Sequence, residues 1–252
     1  MPPMVIDSPE DFWSLRDRIA TSRQALVLTG AGLGVGSGLP TFRGDGGIYA
    51  DDAIADFHHA SLLPDSLPRL WEFWGPVRSE ISAAQPNAGH VALAAWQQRA
   101  TADGCDLTLV TQNVDDLHER AGSPIVWHLH GSLFAVRCLD PGCPSPTTPD
   151  RVSRTSPPPC PMCGGPLRLD TVLFGEQVDV DAAWAARRSV RECDLFLAVG
   201  TSGAVAPASG MVRYAADVGA LRICVDPGEV ASPYFDVHVR MPAETALPLL
   251  LG

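Results

Sequence analysis

An unbroken apolar run, Ala25-Leu26-Val27-Leu28-Thr29, passes without any linker into Gly30-Ala31-Gly32-Leu33-Gly34. A run of this length with no polar alternation reads as a strand buried on both faces, and such strands belong to parallel sheets sandwiched between helices. Comparable runs recur at residues 107–110, 125–129, 195–199 and 221–225, separated by helix-like segments at 89–99 and 181–191. A further helix is expected from the start signal at Asp7, Ser8 and Pro9, because Phe12, Leu15, Ile19 and Ala20 then repeat at helical spacing to about residue 22. Strands alternating with helices predict an α/β fold: a Rossmann-like parallel sheet with helices on both faces.

Two stretches break the alternation. Residues 44–85 are rich in Gly, Asp, Pro and aromatics around a helix-like segment at 67–81, and residues 135–168 are Pro/Ser/Thr-rich with too few apolar residues for a core. Both are expected to be insertions forming a smaller lobe, leaving 1–43, 86–134 and 169–252 as the sheet domain. The 252 residues suffice for that and for little else, and 46% hydrophobic content excludes disorder. No window approaches a membrane span, the N-terminus has no basic, apolar leader pattern, and a soluble, cytoplasmic, monomeric protein is expected. All 18 Lys+Arg are arginine, set against 29 Asp+Glu, and the resulting charge of -11 argues against nucleic acid or an anionic membrane as partner.

The glycines at 30, 32 and 34 suit a turn that lets backbone N–H groups approach a pyrophosphate, although Val35 stands where the common G-x-G-x-x-G pattern has its third glycine. A tight strand-to-helix turn explains them equally well. Beyond the turn, Phe42 and Arg43 could cover the reactive end of a bound cofactor, or simply be a core-anchored ring and a surface guanidinium. At the end of the 107–110 strand stand Gln112, Asn113 and Asp115, amide and carboxylate groups able to hold ribose hydroxyls and a carboxamide, with helix capping by Asn113 or Asp115 as the alternative. His128 and His130 follow, two apart on one strand; His130, at the strand end before Gly131, is the candidate general base, and His128 is expected to be structural.

Cys138-x4-Cys143 and Cys160-x2-Cys163 carry the spacing of a four-thiolate zinc ribbon, whose closed shell staples a lobe and leaves no coordination position for catalysis. Residues 170–176, with Val172 and ending in Phe174, Gly175 and Glu176, read as a short strand whose exposed backbone could pair with an extended peptide, or equally as an ordinary edge strand. Gly200, Thr201 and Ser202 follow another apolar strand and suit close approach by a nucleotide, and Asp226 ends the next, where it can accept from a ribose or simply cap a turn with Pro227 and Gly228.

In order along the chain, GAG, SGLPTFRG, QPNAGH, TQNVDDLHERAG, HLHG, two cysteine pairs, VLFGE and GTSGAV resemble the sirtuins of bacterial type, the NAD-dependent protein deacylases, from Ala25 to Asp226. The resemblance implies NAD as co-substrate and one structural zinc ion. It places NAD against Gly30, Ala31, Gly32, Thr41, Phe42, Arg43, Gln112, Asn113, Val114, Asp115, Gly200, Thr201, Ser202 and Asp226, with catalysis by His130 and Asn113. It assigns the acyl-lysine groove to Val172, Phe174, Gly175 and Glu176, and implies products of free lysine, nicotinamide and O-acyl-ADP-ribose. Gly34 stands where serine is common, and Asp226 where asparagine is frequent. In relatives that remove acidic acyl groups a Tyr and an Arg three apart hold the acyl carboxylate; Trp74 and Val77 replace them here, so uncharged acyl groups are expected unless Arg78 substitutes. An ADP-ribosyltransferase or NAD hydrolase, and a non-catalytic nucleotide sensor or zinc-ribbon binding module, are the competing readings.

Overall fold

The computed structural model describes residues 2–42, 47–48, 54, 56–201, 208–229 and 232–252. The strands are β1 (Met4–Ile6), β2 (Gln24–Thr29), β3 (Asp106–Thr111), β4 (Trp127–His128), β5 (Gly131–Cys138), β6 (Thr148–Pro149), β7 (Leu167–Thr171), β8 (Leu195–Val199), β9 (Leu221–Val225) and β10 (Val237–Val239). The helices are α1 (Trp13–Ala20), α2 (Leu67–Ala83), α3 (Ala88–Ala100), α4 (Leu117–Arg120), α5 (Val180–Glu192), α6 (Ala208–Asp217) and α7 (Ala243–Leu251).

The larger sheet is parallel throughout, in the order β1-β10-β9-β8-β2-β3-β4. Its central strands are as apolar as the sequence implies: Leu26, Val27, Phe196, Leu197 and Val199 are fully buried. Their side chains divide between two cores, as period-two alternation requires. Val27, Leu109, Leu197 and Ile223 pack with α1, α3 and α7 on one face, whereas Leu26, Val110, Phe196 and Cys224 pack with α5 and α6 on the other. The chain passes from β2 to β3 on one side and reaches β8 on the other, so β2 and β8 flank the switch point where open α/β sheets bind ligands beyond the strand C-termini.

The segments expected as strands at 107–110, 195–199 and 221–225 are strands, but 125–129 contributes only β4, two residues long. The chain turns at Leu129-His130 and enters a second, antiparallel sheet of order β6-β5-β7. Gly131 makes that exit: its φ is +71°, and a Cβ there would stand 1.9 Å from the Asp170 carbonyl oxygen. The small sheet therefore spans residues 131–171, somewhat beyond the 135–168 expected for the cysteine lobe. The expected strand over 170–176 also differs, since β7 ends at Thr171 and the chain beyond it turns. Short β1 and β10 at the sheet edge were not apparent in the sequence, because three residues are too few to display a period.

A third core joins α2 to the small sheet through Trp71, Trp74, Leu133, Val136 and Leu169. Arg78 of α2 crosses to this lobe as well: it is buried, its guanidinium stacks over Trp71, and it pairs with the Asp150 carboxylate at 3.1 Å and with the Asp150 carbonyl. No helix among the described residues is long and apolar enough to cross a membrane.

Candidate active site

The C-terminal ends of β2, β3, β8 and β9 deliver Gly30, Gln112, Gly200 and Asp226 to one cavity of about 520 Å³. The turns after β2 and β8 interlock. Gly30 N–H donates to the Val199 carbonyl, Gly32 N–H to the Gly200 carbonyl at 2.8 Å, and a Cβ on Gly32 would lie 2.6 Å from Gly200 Cα. The glycines are thus required first by the approach of two backbones, which leaves a side-chain-free wall suited to a phosphate. The residues from Ala31 to Ser37 form a 3-10 helix rather than an α-helix, which accommodates Val35 in place of a third glycine. Asn87 caps α3 and fastens this loop, donating from Nδ2 to the Leu33 carbonyl and to Ser37 Oγ.

At the end of β3, Gln112 Nε2 donates to Thr201 Oγ1 at 3.0 Å, tying the two central strand ends together. Asn113 is buried, donates from Nδ2 to the Gly30 carbonyl, and keeps an Oδ1 with no hydrogen-bond partner among the described residues. An orphaned acceptor beside a side-chain-free cradle is what a ligand carrying hydroxyl or amide donors would satisfy, so these residues fit a nicotinamide dinucleotide. A recess of about 30 Å³ opens beside Asn113, lined by Gly34, Phe42, Val114 and Asp115 among others. Asp115 lines it and also accepts from Leu117 N–H, the local turn bond that the capping reading requires. Burial raises its pKa to about 6, against the opposing hydrogen bond from Leu117.

His130 lines the main cavity, where its Nδ1 donates to the Gln112 carbonyl at 2.9 Å. A carbonyl only accepts, so the ring is the Nδ1–H tautomer and Nε2 is its basic nitrogen. Burial lowers the His130 pKa, partly offset by that same bond. His128 is the opposite case: burial works against its charge, but the Glu119 carboxylate 2.7 Å from Nε2 prevails and raises its pKa, and Nδ1 donates to the Asn113 carbonyl.

Across the cavity, Val172 N–H donates to the His130 carbonyl, and Phe174 exchanges backbone bonds with His58 and Ala60. Val172, Phe174, Gly175 and Glu176 all line the cavity, but the Glu176 carboxylate is already engaged by Arg168 and by Leu173 N–H, so it holds the turn in shape. Asp226 lines the opposite end and accepts from Gly228 N–H. Thr41, Phe42, Gly200, Thr201 and Trp74 also line the cavity, whereas Arg78 does not, its guanidinium being committed to Asp150. Arg43 and Ser202 lie outside the described residues. Sequence reasoning missed His58, Thr171, Leu173, Val178 and Glu229 as lining residues. Thr171 and Leu173 lie beside or within VLFGE and Glu229 directly after the Asp226-Pro227-Gly228 turn, where a sequence pattern does not say which side chain faces inward, whereas His58 and Val178 belong to no motif.

The thiols of Cys138, Cys143, Cys160 and Cys163 all lie within 4.8 Å of one another, with Sγ···Sγ distances of 3.6 Å for Cys138–Cys163 and 3.8 Å for Cys143–Cys160. A tetrahedral zinc shell with Zn–S near 2.3 Å has edges of about 3.8 Å, so the four residues fit a zinc ion. Cys105, Cys193 and Cys224 are buried elsewhere.

Fold and site define a two-lobed α/β protein with a dinucleotide cleft between a parallel sheet and a four-thiolate lobe. Residues 30–207 match the Sir2 family model, and the chain belongs to that family. It is 39% identical over 241 residues to NAD-dependent protein deacylase 1 of Pseudomonas aeruginosa, covering 92% of this chain and 95% of that protein. A Sir2 homologue solved as its NAD complex superposes with a TM-score of 0.84 at 34% identity, covering 94% of this chain and 91% of the other. A substituted Sir2 solved with a deacetylated p53 peptide and 3'-O-acetyl ADP ribose gives 0.82 at 25% identity, covering 94% and 96%.

Proposed function

We propose that the protein is an NAD-dependent protein-lysine deacylase acting on acetyl-lysine and other uncharged acyl-lysines. The observation that carries this reading is His130: a neutral imidazole of fixed tautomer, in one cavity with the glycine cradle on one side and the 172–176 segment on the other. NAD supplies a pyridinium leaving group and an electrophilic anomeric carbon, at which the acyl oxygen is captured as nicotinamide departs. The protein's part is orientation, exclusion of water and a base. Gln112 and Asn113 position the ribose side. His130 Nε2 accepts the proton of a ribose hydroxyl, activating it toward the acyl carbon, while the Gln112 carbonyl steadies the imidazolium through Nδ1–H. The lysine amine then leaves the acyl carbon and one water molecule adds there, so that free lysine and O-acyl-ADP-ribose result. Asp115 and its recess suit the nicotinamide carboxamide, and Asp226, Gly200 and Thr201 the adenosine half.

Zinc held by the four cysteines stabilises the small lobe, and no step of the reaction passes through it. The reading has the enzyme work as a monomer in the cytoplasm on protein or peptide substrates. The net charge of -11 speaks against nucleic acid and anionic membranes.

The test is mass spectrometry of an acetyl-lysine peptide incubated with and without NAD. Deacetylation only with NAD, accompanied by nicotinamide and O-acetyl-ADP-ribose, is the expected result. His130→Ala is expected to abolish it while NAD binding stays measurable by calorimetry. Nicotinamide release with the peptide intact would instead establish a hydrolase or transferase.

A further inference from the structure

The cavity is also lined by His58, Trp74 and Leu173, which reach it through the 172–174 segment: Val172 N–H donates to the His130 carbonyl, Phe174 N–H to the His58 carbonyl, and the His58 ring meets Trp74. His58 and Trp74 are 2% and 3% exposed although they line a cavity, so their rings are embedded in the wall rather than lying on it. The His58 ring is held on every side. Its Nδ1 lies 2.9 Å from the Ile54 carbonyl, and its centroid lies 4.5 Å from Phe57, 5.3 Å from Phe73 and 5.4 Å from Trp74 in tilted or edge contacts. Phe73 and Trp74 meet edge-on at 5.0 Å, and the His58 carbonyl accepts from Phe174 N–H of the opposite wall. A side chain packed in this way cannot swing aside to lengthen the cavity without displacing an aromatic neighbour.

Charge points the same way. Among the described lining residues there is no arginine, and the acids are Glu176, tied to Arg168, together with Asp226 and Glu229 beyond β9. Val77 lines only the side recess, and Arg78 is spent on Asp150. Burial lowers the His58 pKa, leaving the ring neutral near pH 7 despite the opposing bond to Ile54. A carboxylate brought against His58 and Trp74 would be desolvated with no cationic partner among the described lining residues.

We propose that His58, backed by Trp74, is the floor of the acyl pocket and determines which acyl groups the enzyme accepts, admitting short uncharged chains and excluding long and acidic ones. This rests on the deacylase reading above. Helix α2 supplies Trp74 and the 54–58 segment supplies His58, so specificity is set by the junction of two short pieces of the small lobe rather than by the nucleotide domain.

The experiment compares kcat/KM for one lysine peptide carrying acetyl, butyryl, octanoyl or succinyl groups, in the wild type and in His58→Ala, His58→Val and His58→Phe. The wild type is expected to prefer acetyl or butyryl over octanoyl and to leave succinyl in place. Shortening the floor should raise the octanoyl-to-acetyl ratio about tenfold or more in His58→Ala, since each well-packed methylene is worth at least that in a fitted pocket. His58→Phe should not raise it. If His58→Ala fails to fold, His58→Val gives the same reading with more of the packing against Phe57 and Phe73 kept. A wild type that prefers octanoyl or succinyl, or folded small-residue variants with an unchanged ratio, overturns the proposal. A wild type that removes no acyl group from any peptide overturns the deacylase reading itself.

Discussion

His128 and His130 stand two positions apart in sequence, yet their pKa values shift in opposite directions, and the difference arises from their partners. His128 is clamped between a carboxylate and a carbonyl, both acceptors, and is favoured as the imidazolium; His130 has one carbonyl partner and a buried ring, and is favoured neutral. Two acid-side losses follow for catalysis. His130 must be unprotonated to act as base, and Asp115, with a pKa of about 6, is the stronger acceptor for an amide when ionised, so kcat/KM should be flat above pH 7 and fall as pH drops through 6. A profile that rises toward acid would contradict both assignments. Asp115 also costs stability. Its folded pKa is raised, so the protonated form is the one the fold favours, and the associated stability is present below about pH 4 and lost as pH rises through about 6. Asp115→Asn should therefore raise the melting temperature at pH 8 by the equivalent of roughly 2 kcal/mol while weakening nicotinamide binding. Differential scanning calorimetry at pH 5 and pH 8 checks the sign.

Among the elements, the interlocked turns after β2 and β8 decide whether a cofactor cradle exists at all. Gly32→Ala would push a methyl group against Gly200 Cα, a backbone atom that cannot yield, so NAD affinity measured by calorimetry should fall by more than about tenfold, with a lower melting temperature. Helix α2 is fixed to the small lobe by a buried ion pair. Arg78→Ala leaves Asp150 without its main counter-charge and should cost about 3 kcal/mol in denaturant unfolding, the low end for such pairs because Arg154 still lies 3.3 Å from that carboxylate. In the sequence Arg78 had been a candidate for an acyl carboxylate. Helical spacing places it one residue beyond the cavity-facing Trp74-to-Val77 row, and only the fold shows that Asp150, 72 positions away, has claimed it.

Across the whole molecule, the small lobe is a three-stranded sheet whose two cysteine pairs end where β5 and β7 begin to separate, and its apolar contribution is shared with α2. Such a lobe depends on its metal. Removing zinc with a strong chelator should lower the melting temperature and abolish deacylation together, with one zinc ion per chain recovered by elemental analysis. An active metal-free protein with an unchanged melting temperature would refute the structural role. Because the cavity has one wall in each lobe, loss of the lobe should remove the acyl end of the site while the glycine turns of the large sheet persist.

The parallel sheet, the glycine turn, the TQN strand end and the four thiolates were legible because each is a local pattern: an apolar run of fixed length, a residue type at a fixed spacing, a polar set after a strand. The termination of β4 at His128, the assignment of β5 to the other sheet, and the inclusion of His58 in the cavity were not legible, since they depend on contacts between residues far apart in the chain. The same holds for protonation. Sequence determines that residue 130 is a histidine at a strand end, but its tautomer and its lowered pKa come from the Gln112 carbonyl and from burial, which exist only once β3 and β4 lie side by side.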